Sequence, residues 1–408
     1  MKMFSCARRR KWFPKYIGFF AAPAFFLLVI FSRSEWKIRF LEWGAGGVVV
    51  VLMLLFFLLR GRISKRLFSM IVLPLAWTGY AFILTPLAQN PKHHLAMLLQ
   101  TFLLTLIANF VVITLFSKER LLKKTVFATI FFWIFINIVF FLFWRLGVIS
   151  YEKGDFSGIF GNRNGFAVQT VVLIGMLLHF SRTNRFLKVF LVFSSFVLIS
   201  ASLSTKGFLF FFFVIFFPSF LKRNISRKIL VSCVGIFFFT ASYAYMPNIQ
   251  ERITRFAMVF TNPDDLRQSE SAFLRAWLMV EGFNLIVNNP ITGVGVDNAR
   301  FILIPPLAQI RGAEEGLYSH NNYVEMALNA GVIGLLLFYG PLIYVFFKTK
   351  NDHPNWIEVK TFVILYLLKG VAMVQYDHFV SILLYCIIMF LFLYYNGYGD
   401  NEKNSVHS

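Results

Sequence analysis

Charge, acid and cysteine are all scarce in this 408-residue chain. Only 14% of residues are charged, against about 25% in an ordinary soluble domain. That shortage excludes a conventional soluble enzyme, and the 58% hydrophobic content excludes a disordered chain. Only 3 cysteines occur, Cys6, Cys233 and Cys386, too few and too scattered for a disulfide framework or a CxxC metal site. No Walker loop, GxGxxG, HExxH or GxSxG is present, so ATP-driven and metallohydrolase readings gain no support. Acidic residues number 19 against 40 basic ones, a net charge of +21. Such an excess resembles a nucleic-acid signature, but its placement assigns it otherwise, and no nucleic-acid partner is expected.

Long apolar runs are plentiful, with 53 phenylalanines among them. A bilayer-spanning helix needs about 20 apolar residues. About twelve blocks meet that rule, at 16–32, 40–59, 68–88, 95–116, 125–149, 165–181, 186–203, 207–221, 229–246, 321–347, 359–376 and 379–395. The first follows Arg8, Arg9, Arg10, Lys11 and Lys15 without a small-residue cleavage site, and is read as an uncleaved anchor. With the N-terminus placed in the cytoplasm, the alternating inner segments collect 25 of the 40 basic residues but only 5 of the 19 acids. The basic excess is therefore a positive-inside topology signal, with both termini cytoplasmic. Phenylalanine runs such as Phe210 to Phe213 are expected to face lipid.

The expected organisation is nine or so helices over 1–246, a large outer loop over 247–319, about three helices over 320–395 and a cytoplasmic tail over 396–408. A connection as long as 247–319 is uncommon unless functional or independently folded. It carries Arg252, Arg255, Arg267, Arg275, Arg300 and Arg311. Its middle reads as an amphipathic helix, with Ser271 as N-cap, Pro290 as stop and an apolar stripe of Phe273, Trp277, Val280 and Phe283. Such a helix suits the membrane–water interface. Gly293-Val-Gly295 then signals a turn or a close approach.

Several polar residues are candidates for chemistry, each with a plainer reading. His320, in Tyr318-Ser-His-Asn-Asn322, opens the tenth apolar block; a neutral imidazole there can take a proton from a sugar hydroxyl, or the segment is simply a polar helix start capped by Ser319 or Asn321. Arg275, on the loop helix, can fork onto a phosphate or be a solvated charge. Lys206, in a very short outer connection, can hold an anion or snorkel. Arg163, in Phe160-Gly-Asn-Arg-Asn-Gly165, fits turn structure better than ligand contact. Lys369 interrupts the eleventh block, and a pair with Asp377, two turns on and beside His378, is its simplest explanation. Gly331 and Gly334 are expected to let helices pack closely.

Three stretches together resemble the O-antigen ligase and polymerase superfamily. Ser269-Glu-Ser-Ala-Phe-Leu-Arg275-Ala-Trp277 with Asn289-Pro290-Ile-Thr-Gly293-Val-Gly295-Val-Asp-Asn298 is similar to its outer-loop signature. Ser319-His320-Asn321-Asn322-Tyr323 with Gly331-Val-Ile-Gly334 resembles its histidine motif, and Gly158-Ile-Phe-Gly161-Asn162-Arg163-Asn164 a weaker family turn. The resemblance covers roughly 155–345 and implies an all-α polytopic membrane protein, GT-C-like, with about twelve transmembrane helices and one large, partly helical periplasmic loop.

It also implies an activity: moving a glycan from an undecaprenyl-diphosphate carrier to an acceptor sugar, lipid A-core for a ligase or a new repeat unit for a polymerase. The reaction would occur on the periplasmic face of the bacterial inner membrane, without cofactor or metal, among membrane lipids and alongside other polysaccharide assembly proteins. His320 would be the general base and Arg275 the diphosphate holder, with Lys206, Arg163, Asn321, Arg300 and Arg311 as substrate-binding candidates. Many relatives carry arginine where this chain has Lys206, which keeps the charge but loses the bidentate fork. A lipid-linked sugar flippase would instead need internal repeats and several mid-membrane charges, and only Lys369 is evident.

Overall fold

The computed structural model describes residues 65–116, 119–151, 156–160, 162–180, 184–222, 225–226, 228–229, 232–233, 240, 271–304, 319, 321–351, 353, 355–376 and 378–395. The apolar blocks at 16–32 and 40–59, most of 229–246, and both chain ends lie outside these residues. Ten α-helices form the described part: α1 Lys65–Ile83, α2 Pro91–Phe116, α3 Glu119–Arg145, α4 Arg163–Phe180, α5 Arg185–Ala201, α6 Thr205–Leu221, α7 Ser271–Asn288, α8 Asn322–Lys348, α9 Trp356–Ala372 and α10 Phe379–Tyr395. Single 3-10 turns lie at Thr85–Leu87, Gly158–Phe160 and Asn298–Phe301. No strand occurs among the described residues.

Helix is what these sequences require in lipid, because it satisfies every backbone polar group within its own segment. Pro91–Leu115, Leu122–Arg145, Arg163–Phe180 and Asn322–Lys348 are long and apolar enough to cross a membrane, and α1, α6 and α10 contain shorter apolar stretches. Nine of the apolar blocks coincide with α1 to α6 and α8 to α10. The described residues are all-helical in their regular structure, and their long apolar helices are those of a membrane protein.

Its core lies where lipid does not reach. α10 packs against α2, α8 against α1, α4 against α6, and α9 against both α6 and α8. α4 is buried continuously from Phe166 to Leu177. Two buried pairs tie helices together inside the bundle: Trp133 Nε1 donates to Thr170 Oγ1 at 3.0 Å, and Tyr385 OH donates to the Phe338 carbonyl at 3.0 Å. The outward surface is apolar, with Phe186 and Phe193 of α5 prominent on it. Phe210 and Phe211 correct the sequence expectation. They are buried, because they lie on the part of α6 that is covered by the packed helices, whereas Leu209 of the same helix is exposed.

Short connections alternate the helices between two ends. At one end, His179 near the close of α4 meets Glu358 in the first turn of α9 at 3.5 Å. The opposite end gathers the starts of α2, α4, α6, α8 and α10 together with segment 289–304, and all the described candidate groups lie there.

Candidate functional site

Segment 289–304 is bound to a break in α8. Ala330 (φ −146°) and Gly331 (φ 66°, ψ −171°) leave helical geometry, which strands backbone groups on either side. The loop takes them up. Val332 N–H donates to the Pro290 carbonyl at 2.8 Å, and Val294 N–H donates to the Leu328 carbonyl at 2.7 Å. The approach is so close that a Cβ on Gly331 would stand 2.0 Å from the Ile291 oxygen, and one on Gly293 2.3 Å from the Leu328 oxygen. Both glycines are thus demanded by left-handed backbone and by contact. Gly331 was expected to ease helix–helix packing; instead it breaks its own helix and admits a loop.

The same loop is tied to the α1–α2 turn. Tyr80 OH donates to the Ile291 carbonyl at 3.0 Å, and Gln89 N–H to the Val294 carbonyl at 3.1 Å. His94 is buried and spends both ring nitrogens on the backbone: Nδ1 accepts from Val296 N–H at 2.7 Å and Nε2 lies 3.1 Å from the Ala81 carbonyl. Gly295 (φ 103°) permits this, since a Cβ there would meet Ala88 at 2.7 Å and His94 at 3.1 Å.

Asp297 follows, in left-handed conformation (φ 58°) and 4% exposed. Its N–H donates to Asn329 Oδ1 at 3.0 Å. Its carboxylate joins two side chains, His93 Nε2 at 2.9 Å from Oδ2 and Arg300 Nη2 at 2.9 Å from Oδ1. Phe301 meets the His93 ring edge-on, with centroids 5.0 Å apart.

The start of α8 is built just as firmly. Asn321 caps the helix, its Oδ1 accepting from Tyr323 N–H at 2.9 Å and Val324 N–H at 3.3 Å. Ser319 is anchored twice to the buried Glu325: its N–H and its hydroxyl both donate to Oε2, at 3.0 and 2.8 Å. Asn322 bridges onward, Nδ2 to Tyr339 OH at 2.7 Å and Oδ1 from Gln375 N–H at 2.7 Å. His320 lies outside the described residues, but both of its neighbours are held.

A second cationic group stands on α4 and α6. Arg163 is the first residue of α4, with Asn162 Oδ1 accepting from Asn164 and Gly165 N–H at 3.1 and 3.2 Å. Lys206 is in the first turn of α6, capped by Ser204, whose Oγ accepts from Gly207 N–H at 3.2 Å. Ser204 Oγ also donates to Asn164 Oδ1 at 2.8 Å, and this bond brings the two cation-bearing turns together. Close contact is enforced at Gly207, where a Cβ would stand 2.4 Å from Ala167 Cβ. Nearby, Tyr151 OH donates to the Gly158 carbonyl at 3.0 Å; burial pushes its hydroxyl up to about 12, so it stays a donor at physiological pH.

Of the sequence candidates, then, the structure brings Arg163 beside the turn bearing Lys206, makes Asn321 a helix cap, and pairs Arg300 with Asp297. Arg275 lies on α7, which packs along α8, while Arg311 is outside the described residues. α7 begins at Ser271, the residue expected to precede it as cap, and ends before Pro290; Val280 and Phe283 of its apolar stripe are exposed, and its inward side is instead Leu278 and the Gly282 position against Val324. Lys369, 3% exposed, donates to Ser381 Oγ on α10; Asp377 lies outside the described residues. Sequence reasoning passed over His93, Asp297 and Glu325. The first two carried a signal, a histidine pair at a proline-started helix and an acid within the glycine motif. Glu325 carried none, since its partner is fixed only by the fold.

Residues 189–339 match the family model described as O-antigen ligase. The match supports the O-antigen ligase and polymerase superfamily and includes Lys206, Arg275, Arg300, Arg311, His320 and Asn321. No curated protein matches the chain.

Proposed function

We propose that this protein is an O-antigen ligase-type glycosyltransferase. In this reading it moves a polysaccharide from undecaprenyl diphosphate to an acceptor sugar, lipid A-core, on the periplasmic face of the inner membrane. The observation that carries the proposal is the family match over 189–339, on the same stretch in which Ser319 and Asn321 are fixed on either side of His320. A general base needs fixed geometry before it needs a tuned basicity.

In this mechanism His320 accepts the proton of the acceptor hydroxyl. The hydroxyl oxygen attacks the anomeric carbon as its bond to the diphosphate breaks, and undecaprenyl diphosphate leaves. Arg275 grips the departing diphosphate, with Lys206 and Arg163 adding positive charge from their neighbouring helix turns. Diphosphate leaves readily once its charge is compensated, so positioned cations supply much of the rate without a metal. Asn321 has its carboxamide oxygen committed to the helix, so its substrate contact falls to Nδ2. Arg300 and Arg311 contact the glycan or diphosphate from the outer loop. Single displacement inverts the anomeric centre, and a product that retains the donor's configuration refutes it.

The wider arrangement belongs to the same proposal: about twelve spans, a periplasmic loop over 247–319, and both termini in the cytoplasm, with other assembly proteins supplying the carrier-linked glycan. The family match extends equally to a polymerase that passes the growing chain onto a new repeat. Deletion of the gene followed by a lipopolysaccharide gel separates the two. Core without O-chain supports the ligase, core capped by one repeat supports the polymerase, and an unchanged ladder overturns both.

A further inference from the structure

The cluster of His93, Asp297 and Arg300 has a composition unlike that of a phosphate clamp. Asp297 is buried, and its negative charge is offset by Arg300, so the pair presents no net charge to a ligand. An anion gains little from a neutral site, whereas the hydroxyls of a polyol need only hydrogen-bond partners there to replace the water they leave.

The donor pattern also fits hydroxyls. A carboxylate only accepts, so the proton between His93 and Asp297 is on Nε2. In the neutral ring Nδ1 then holds a lone pair, an acceptor for a hydroxyl. Beside it, Arg300 carries N–H donors on a guanidinium whose direction is set by the same carboxylate. His93 and Arg300 are each part-exposed, with side chains 27% and 31% accessible. The Phe301 ring edges the imidazole and adds an apolar wall. Behind Asp297, Asn329 Nδ2 and Asn298 Oδ1 are buried without a hydrogen-bond partner among the described residues, a polar lining with capacity to spare.

The cluster is also placed for the reaction. Asn329, which receives the Asp297 N–H, lies seven residues along α8 from Asn322, about 10 Å along the axis. A glycan reacting near the α8 start can extend that far.

We propose that His93 and Arg300, oriented together by Asp297, form a saccharide subsite that reads a pair of sugar hydroxyls on the glycan being transferred or on its acceptor. His93 and Arg300 touch the sugar, and Asp297 is a positioning residue. The proposal rests on the transferase reading, and its test separates the two.

The purified full chain in nanodiscs is titrated with undecaprenyl diphosphate lacking sugar, with the lipid-linked glycan extracted from cells that carry the gene, and with delipidated core oligosaccharide. The variants are His93→Gln and Asp297→Asn; asparagine tolerates the left-handed backbone at 297. Both variants are expected to bind sugar-free lipid like the wild type and to bind a glycan ligand about ten-fold more weakly, as when a site's hydroxyl partner is lost. Loss confined to the lipid-linked glycan assigns the subsite to the donor; loss confined to the free oligosaccharide assigns it to the acceptor. Equal loss on all three ligands, or no loss on either glycan, overturns the subsite. A wild type that binds neither lipid overturns the transferase reading instead, and the subsite is then decided by the oligosaccharide alone.

Discussion

Pro290 and Val332 are joined by a backbone hydrogen bond of 2.8 Å across the break in α8. The loop carbonyl stands in for the helical partner that Val332 lacks, so segment 289–304 and the helix beginning beside His320 form one structure. A side chain on Gly331 would sever that union, since its Cβ would fall 2.0 Å from the Ile291 oxygen at a backbone conformation essentially restricted to glycine.

Gly331→Ala is therefore expected to cost about 3 kcal/mol or more, from strain plus displaced backbone. Thermal unfolding of the purified protein in detergent checks this, with Gly79→Ala as control. A Cβ at Gly79 meets nothing within 4 Å, and that variant should melt at the wild-type temperature or slightly above.

Glu325→Gln tests the tie to Ser319. The carboxylate takes both the N–H and the hydroxyl of Ser319 on one oxygen, at a residue 1% exposed. Glutamine keeps an acceptor but loses the charge that strengthens both bonds, so the transfer rate should fall about ten-fold. Glu325→Ala should fall further, and a Ser319→Ala background should shrink the effect of Glu325→Gln. Rates of the single and double variants in one transfer assay give the coupling.

Much of this was legible in the sequence, and the rest was hidden for identifiable reasons. Long apolar runs announce helices because lipid leaves the backbone no alternative, so α1 to α6 and α8 to α10 fall on expected blocks. α7 runs from Ser271 to Asn288, ending just before Pro290, whose ring cannot continue a helix. What the sequence concealed were relations between distant segments. Phe210 and Phe211 look like lipid-facing bulk because burial in protein and in lipid demand the same residues. Gly331 looks like a packing glycine because only the fold brings Ile291 against it. Asp297 and His93 lie more than two hundred positions apart, and no periodicity connects them.

Ser204→Ala removes an N-cap and the link to Asn164 in one change. Stability should drop by about 1 kcal/mol for the cap. Because the same hydroxyl fixes the Arg163 and Lys206 turns together, the Michaelis constant for the lipid-linked donor should rise while the maximal rate changes less. Steady-state kinetics across donor concentration checks the split, and Ser204→Thr, which keeps the hydroxyl, should restore the wild-type value.

Reconstitution decides the main claim. Purified protein in liposomes is given carrier-linked glycan and acceptor, and liberated undecaprenyl diphosphate is counted against glycosylated acceptor. One carrier should be freed for each acceptor modified, and His320→Ala should lower the rate by about a hundred-fold or more, the usual scale for losing a general base. A His320→Ala protein that transfers at the wild-type rate, or acceptor modified with no carrier released, would contradict it.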